Sequence, residues 1–131
     1  MTERGFTLIE LMITIAVLAI IVAIAIPSYQ NYIEKTRRSD AVTGLTTTAQ
    51  QLERCFTRTS SYNHADCPSG TFDSSEEYYD IKVEADSTSY TLTATAKSGG
   101  PQSGDDCSPF TLDDEGNKGD AGSDTDRCWG N

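Results

Sequence analysis

The chain has 131 residues, ten basic and twenty acidic, for a formal net charge of −10. That length fits one domain with a possible appendage. The acidic balance argues against a protein whose main work is gripping nucleic-acid backbone, which needs a basic face. Apolar residues make up 37%, low for a packed globule, and much of the Ile, Leu, Val and Ala lies before Pro27.

Residues Phe6 to Ile26 read FTLIELMITIAVLAIIVAIAI, with Glu10 as the one charged residue. As a helix, Phe6 to Pro27 would run about 33 Å, matching a bilayer core of about 30 Å. Three readings compete. A secretory signal peptide finds a small-x-small cleavage site in Ala23-Ile24-Ala25. Against it, Glu3 lies in the n-region, Glu10 lies in the apolar run, and the run is long for an h-region. An ordinary membrane anchor explains the length but leaves Glu10 as an uncompensated intramembrane carboxylate. A cut between Gly5 and Phe6 explains more. Phe6 would then carry a new amine, and Glu10 would sit one helical turn away. The two charges could compensate one another within a chain or between neighbours.

After Pro27 the apolar pattern becomes periodic. Tyr29, Tyr32, Ile33 and Thr36 begin a stripe that Ala41, Val42, Leu45, Ala49, Leu52 and Phe56 continue in three- and four-residue steps. Glu34, Lys35, Arg37, Arg38, Asp40, Glu53 and Arg54 fall mostly off it, with Arg37 and Arg38 read as a solvated face. The pattern predicts one helix from about Thr7 to about Arg54, kinked near Pro27. Gly44 is its weak point, costing about 1 kcal/mol relative to Ala. A polar loop, Thr57 to Glu77, follows. Tyr79, Ile81, Val83 and Ala85 alternate, as do Tyr90, Leu92, Ala94 and Ala96, and Asp86 to Ser89 is the turn of a predicted β-hairpin. Ser98 to Asp106 is a connection. Phe110 to Asp113 is a predicted third strand, closed by Asp114-Glu115-Gly116-Asn117. The stretch Lys118 to Asp126 needs a tie to the rest, and Trp129 could pack the end of it onto the sheet.

Cys55, Cys67, Cys107 and Cys128 could supply that tie. No two have C-x-x-C spacing and His64 is the single histidine, which argues against zinc. Two disulfides in an oxidising compartment are expected instead. Three pairings exist; Cys55–Cys67 with Cys107–Cys128 is preferred because each bond then closes a local loop. Closure of a loop of this size stabilises by about 3 kcal/mol in the chain-entropy model. The acidic runs Asp113 to Asn117 and Asp120 to Asp126 offer oxygen ligands for calcium but lack EF-hand order, so solvated turns are the default. His64 has no nucleophile at a recognisable spacing, and there is no Gly-rich phosphate loop. The expectation is therefore no enzyme, no cofactor and no metal.

Gly5-Phe6-Thr7-Leu8-Ile9-Glu10-Leu11-Met12 resembles the class III signal of type IV pilins and pseudopilins. The resemblance implies a peptidase that cuts after Gly5 and N-methylates Phe6, with Glu10 as the assembly glutamate. Pro27 matches the proline that kinks the pilin helix; a second kinking proline common later in that helix is missing, and Thr47 and Thr48 occupy its region. The element order resembles a type IVa pilin throughout, an α+β fold with a long kinked helix on a small antiparallel sheet of three or four strands. The cysteine pair Cys55/Cys67 and the run ending Cys128-Trp129 are most similar to PilE-type minor pilins. The implied organisation is a leader (1–5), a transmembrane or filament-core half-helix (6–28) and a head (29–131), the head comprising helix 29–56 and sheet and loops 57–131. The implied role is structural, in pilus assembly or initiation, twitching motility and adhesion. The partners implied are other pilins, the prepilin peptidase/methyltransferase, the inner-membrane assembly platform and the inner membrane. A major pilin, a DNA-uptake pilin and a type II secretion pseudopilin are the alternatives. The net charge weighs against nucleic acid, although Arg37, Arg38, Arg54 and Arg58 could form a local basic patch.

Overall fold

The computed structural model describes residues 5–122 and 124–130; the leader reading for residues 1–4 lies outside the described residues. A single helix, α1, covers Leu8–Thr59 and contributes to two compact units, one through Ile33 and one from Glu34 onward. In the first unit the apolar side chains stand exposed, Leu8 at 76% and Ile24 at 69%. This run is long and apolar enough to cross a membrane. Pro27 lies inside the helix, where its ring can donate no backbone hydrogen bond.

The second unit holds the outer part of α1 and five antiparallel strands in the order β1-β2-β3-β4-β5. They are β1 Gly70–Asp73, β2 Tyr79–Ala85, β3 Tyr90–Ala96, β4 Phe110–Asp113 and β5 Lys118–Gly119. Alternation in β2 and β3 works as read. Tyr79, Ile81 and Val83, and Tyr90, Leu92 and Ala94, are buried, and Ile81 pairs with Ala94 across the ladder. Ala41, Leu45 and Leu52 of α1 join them with Phe110 in one core. Asp86 shapes the hairpin turn: its Oδ1 accepts from the Thr88 and Ser89 amides at 2.8 and 2.7 Å. These bonds, Thr88 first, hold its carboxyl below the ordinary range. Gly44 reads differently in three dimensions. A Cβ there would lie 3.0 Å from Ile81 Cδ1, so the missing side chain is what lets helix and sheet approach.

Several local expectations are corrected. Helix α1 runs to Thr59 rather than to Arg54, and stops where Ser60 takes φ 57°. Strand β1 lies inside the stretch read as loop; all four of its residues are exposed, so no alternation marks it. Strand β5 is two residues long and is defined by its pairing with β4. A short helix, α2 (Thr125–Trp129), closes the chain, with Asp124 accepting from the Arg127 amide at its start and Gly130 left-handed at φ 77° at its end. Arg38 is buried rather than on a solvated face, and Asp40, which falls off the apolar stripe, is buried as well.

Candidate functional site

The first locus is the helix start. Gly5, Phe6 and Thr7 are non-helical, and Phe6 is 94% exposed. Thr7 donates twice to Glu10 Oε2, from Oγ1 at 2.7 Å and from its amide at 2.8 Å. The Glu10 amide returns a bond to Thr7 Oγ1 at 3.3 Å. This is a capping box, which satisfies amides that the first turn of a helix leaves without partners. The structure thus places Glu10 in the first turn of the helix and ties it to Thr7, a residue the sequence reading passed over. The signal was present as Thr7-x-x-Glu10 ahead of an apolar run.

The second locus is the unit from Glu34 onward, where disulfides close both loops. Cys55–Cys67 joins the last turns of α1 to the loop that follows, and Cys107–Cys128 joins the connection before β4 to α2. Trp129 packs edge-on against Phe110 and donates Nε1–H to the Gly119 carbonyl at 3.1 Å. It fastens the end of the second loop to the sheet.

A buried polar network ties that loop to α1. Arg38 donates from Nε and Nη2 to Asp105 Oδ1 at 2.9 and 2.7 Å, and the Asp105 side chain is fully buried. Tyr79 Oη donates to Asp105 Oδ2 at 2.9 Å. The Cys107 amide donates to Oδ1 at 3.0 Å, so the carboxylate also holds the backbone of a disulfide cysteine. Burial raises the Asp105 carboxyl, but the Arg38 hydrogen bond, the Cys107 amide and the Tyr79 hydroxyl outweigh it and hold it below the usual carboxylate range. Burial pushes the Tyr79 phenol well up. Asp40 plays a parallel part on the other side, accepting from Ser74 Oγ and the amides of Glu76 and Tyr78.

The candidate ligand sites can now be placed. Asp113 spends its oxygens on its own turn, accepting from the Glu115 and Asn117 amides and from Asn117 Nδ2. Among the described residues no group of three or more His, Cys, Asp or Glu could hold a metal ion. His64 stands exposed beside Asp66. The four arginines read as a possible patch do not act as one. Arg38 is consumed by Asp105, and Arg37 lies over the Tyr78 ring at 5.4 Å. Arg54 and Arg58 remain exposed, one turn apart on α1.

Residues 1–26 match the prokaryotic N-terminal methylation motif. Residues 27–111 match the family described as type IV minor pilin ComP, DNA uptake sequence receptor. The chain belongs to the type IV pilins. Among relatives of this pilin, a type IV major fimbrial protein FimA of Dichelobacter nodosus is 37% identical, over 71% of this chain and 70% of its own. A fimbrial protein of Moraxella nonliquefaciens is 52% identical over 41% of this chain and 39% of its own. The prepilin peptidase-dependent protein D of Escherichia coli K12 is 45% identical over 40% and 36%. The pilin therefore spans 70% of the first relative's length and well under half of the other two. A type IV pilin structure from Shewanella oneidensis superposes with a TM-score of 0.51 at 29% identity, covering 65% of this chain and 89% of that one. This pilin is accordingly a structural subunit, with the long helix, antiparallel sheet and two disulfides of its class.

Proposed function

We propose that this pilin is a minor subunit of a type IV pilus that supports pilus assembly or initiation, and through it twitching motility and adhesion. The filament part of the reading is carried by the first half of α1, an exposed apolar helix whose one carboxylate sits a turn beyond Phe6, and the minor role is supported by the family that residues 27–111 match. In this account a prepilin peptidase cuts after Gly5 and methylates Phe6. The leader comprises residues 1–5, residues 6–28 anchor the precursor in the inner membrane, and residues 29–131 form the head outside it. An assembly platform then lifts the chain into a filament of other pilins on the cell surface. Apolar surface passes from lipid to neighbouring helices without net exposure to water. Glu10 is costly in that setting unless it meets an amine, so pairing with Phe6 of a neighbour sets the vertical register, and Pro27 marks the helix kink.

The test replaces Glu10 with Val. The variant is expected to reach the membrane at normal levels and to be absent from sheared filaments, whereas normal incorporation would sink the reading. The wild-type chain is expected at trace level in those filaments with a methyl-Phe6 N-terminus; the dominant band would instead mark a major pilin.

A second reading rests on the DNA-uptake description of the family that residues 27–111 match. The net charge of −10 opposes it, and the exposed pair Arg54 and Arg58 keeps it in play. Loss of DNA uptake with filaments intact, on deleting this chain, would favour it over the assembly role.

A further inference from the structure

Strand β1 carries the core face of the sheet beyond its helical cover. Phe72, Ile81, Ala94 and Phe110 form one row across four strands. The last three are fully buried, whereas Phe72 is 38% exposed. Among the described residues from Glu34 onward, it is the one large apolar side chain that stands exposed. Gly44 lets α1 close onto Ile81, so the helix covers β2 and leaves β1 open beside it. A cleft of about 110 Å³ lies between them, lined by Thr47 and Gln51 of α1, Ile81 of β2, and Phe72 and Ser75. At ~30 Å³ per water that is room for about four waters, or for one medium-sized side chain.

The rim of the cleft is acidic. Asp73 lines it, exposed Glu76 and Glu77 follow, and Asp80 stands opposite Asp73 in the ladder. Lys97 reaches Asp73 at 2.8 Å and Asp80 at 4.0 Å, and Arg37 lies over the Tyr78 ring. The four carboxylates outnumber these two cations, so the rim repels phosphates, whether of nucleic acid or of an anionic membrane, and attracts ammonium and guanidinium groups.

We propose that this cleft receives one apolar side chain from a Lys- or Arg-bearing segment of a neighbouring pilin subunit. Phe72 and Ile81 take the apolar anchor out of water, and the acidic rim engages the cations that flank it. The anchor supplies most of the affinity, while the charges select the partner and its register. That the partner is a pilin rests on the proposed filament role; the chemistry of the cleft does not.

The experiment places the full chain in phosphatidylcholine nanodiscs and titrates it with the peptide acetyl-Lys-Val-Lys-Val-Lys-amide. The charge-reversed peptide acetyl-Glu-Val-Glu-Val-Glu-amide is the control. With the basic peptide, amide NMR shifts should centre on Thr47, Gln51, Phe72 and Ser75, and the acidic peptide should bind about tenfold more weakly. Phe72→Ser should weaken the basic peptide about tenfold, with a spectrum away from the cleft that matches wild type. Glu76→Gln with Glu77→Gln should weaken it too and reduce its salt dependence. In cells, Phe72 is replaced by photoreactive benzoylphenylalanine and sheared filaments are irradiated. Cross-links should join position 72 to a pilin segment that carries Lys or Arg beside an apolar residue. Equal binding of the two peptides, or no shifts at the cleft, overturns its chemistry, whatever happens in filaments. Cross-links to lipid, to nucleic acid, to a segment without Lys or Arg, or to nothing overturn the neighbouring pilin as occupant. Should even the wild-type chain be missing from filaments, the filament reading fails and that occupant with it, while the titration still decides the chemistry of the cleft.

Discussion

Asp105 shows how one side chain can connect three elements. It takes Arg38 from α1, Tyr79 from β2 and the amide of Cys107, and no solvent reaches it. Removing its charge leaves a guanidinium that is nearly buried, and breaking such a pair costs about 3 kcal/mol or more. Asp105→Asn should therefore lower unfolding stability by about 3 kcal/mol at neutral pH, measured by denaturant titration. The pH dependence follows from the lowered carboxyl. Its stabilisation is fully present above the unfolded aspartate value of about 3.9 and is lost as pH falls from there through the folded value. The wild-type chain should lose stability steeply below about pH 4, and Asp105→Asn should lose less of it over the same window. Gly44 makes the opposite kind of prediction. A larger side chain gains helix propensity but enters the space of Ile81, which is fully buried. Gly44→Val should destabilise by about 2 kcal/mol, and pairing it with Ile81→Ala should recover part of that loss in a double-mutant cycle.

At the scale of elements, what was legible in the sequence was what repeats. The apolar run and the two alternating strands carry their periods over many residues and stand in the structure; the helical stripe packs from Ala41 onward, whereas its first members Tyr29, Tyr32 and Thr36 are exposed. What was hidden was short or settled by tertiary contacts. Strand β1 has four exposed residues and β5 has two, so neither carries a period; each exists because a neighbouring strand offers a ladder. Arg38 read as a surface charge, and Asp40 only as a residue off the stripe, because their partners, Asp105 and the 74–78 segment, lie far along the chain. At the candidate site, the apolar run drew notice to Glu10 and the motif to Phe6, whereas Thr7 looked like one more polar residue in a long helix. The second disulfide is a long-range constraint too, yet its pairing was legible, because Cys107–Cys128 closes a local loop as the cysteine spacing suggested. The segment from β5 through α2 is held by a two-residue ladder, by Trp129 on Phe110 and by Cys107–Cys128. Replacing both cysteines with serine should cost about 3 kcal/mol. Amide exchange should rise first between residues 118 and 130, leaving β2 and β3 protected.

At the scale of the whole molecule, part of the positive charge of the described residues is already engaged. Arg38 pairs with Asp105 and Glu34, Lys82 with Glu84, and Lys97 with Asp73; Lys118 lies over the Trp129 ring. Exposed Arg54 and Arg58 are the places where the α1 face could meet a phosphate backbone. Each such contact contributes about 0.9 to the slope of log affinity against log salt for duplex DNA. If the DNA-uptake reading holds through this face, Arg54→Gln with Arg58→Gln should flatten that slope by about 1.8 and weaken binding to all sequences alike. Both side chains are exposed, so the double variant should fold as the parent does and enter filaments at the same level. Arg38→Gln is the instructive contrast, because it strands Asp105 in the interior and any loss of binding would come with loss of the fold. An unchanged slope in the double variant would remove this face from the DNA-uptake reading and leave the filament role resting on the apolar half of α1 alone.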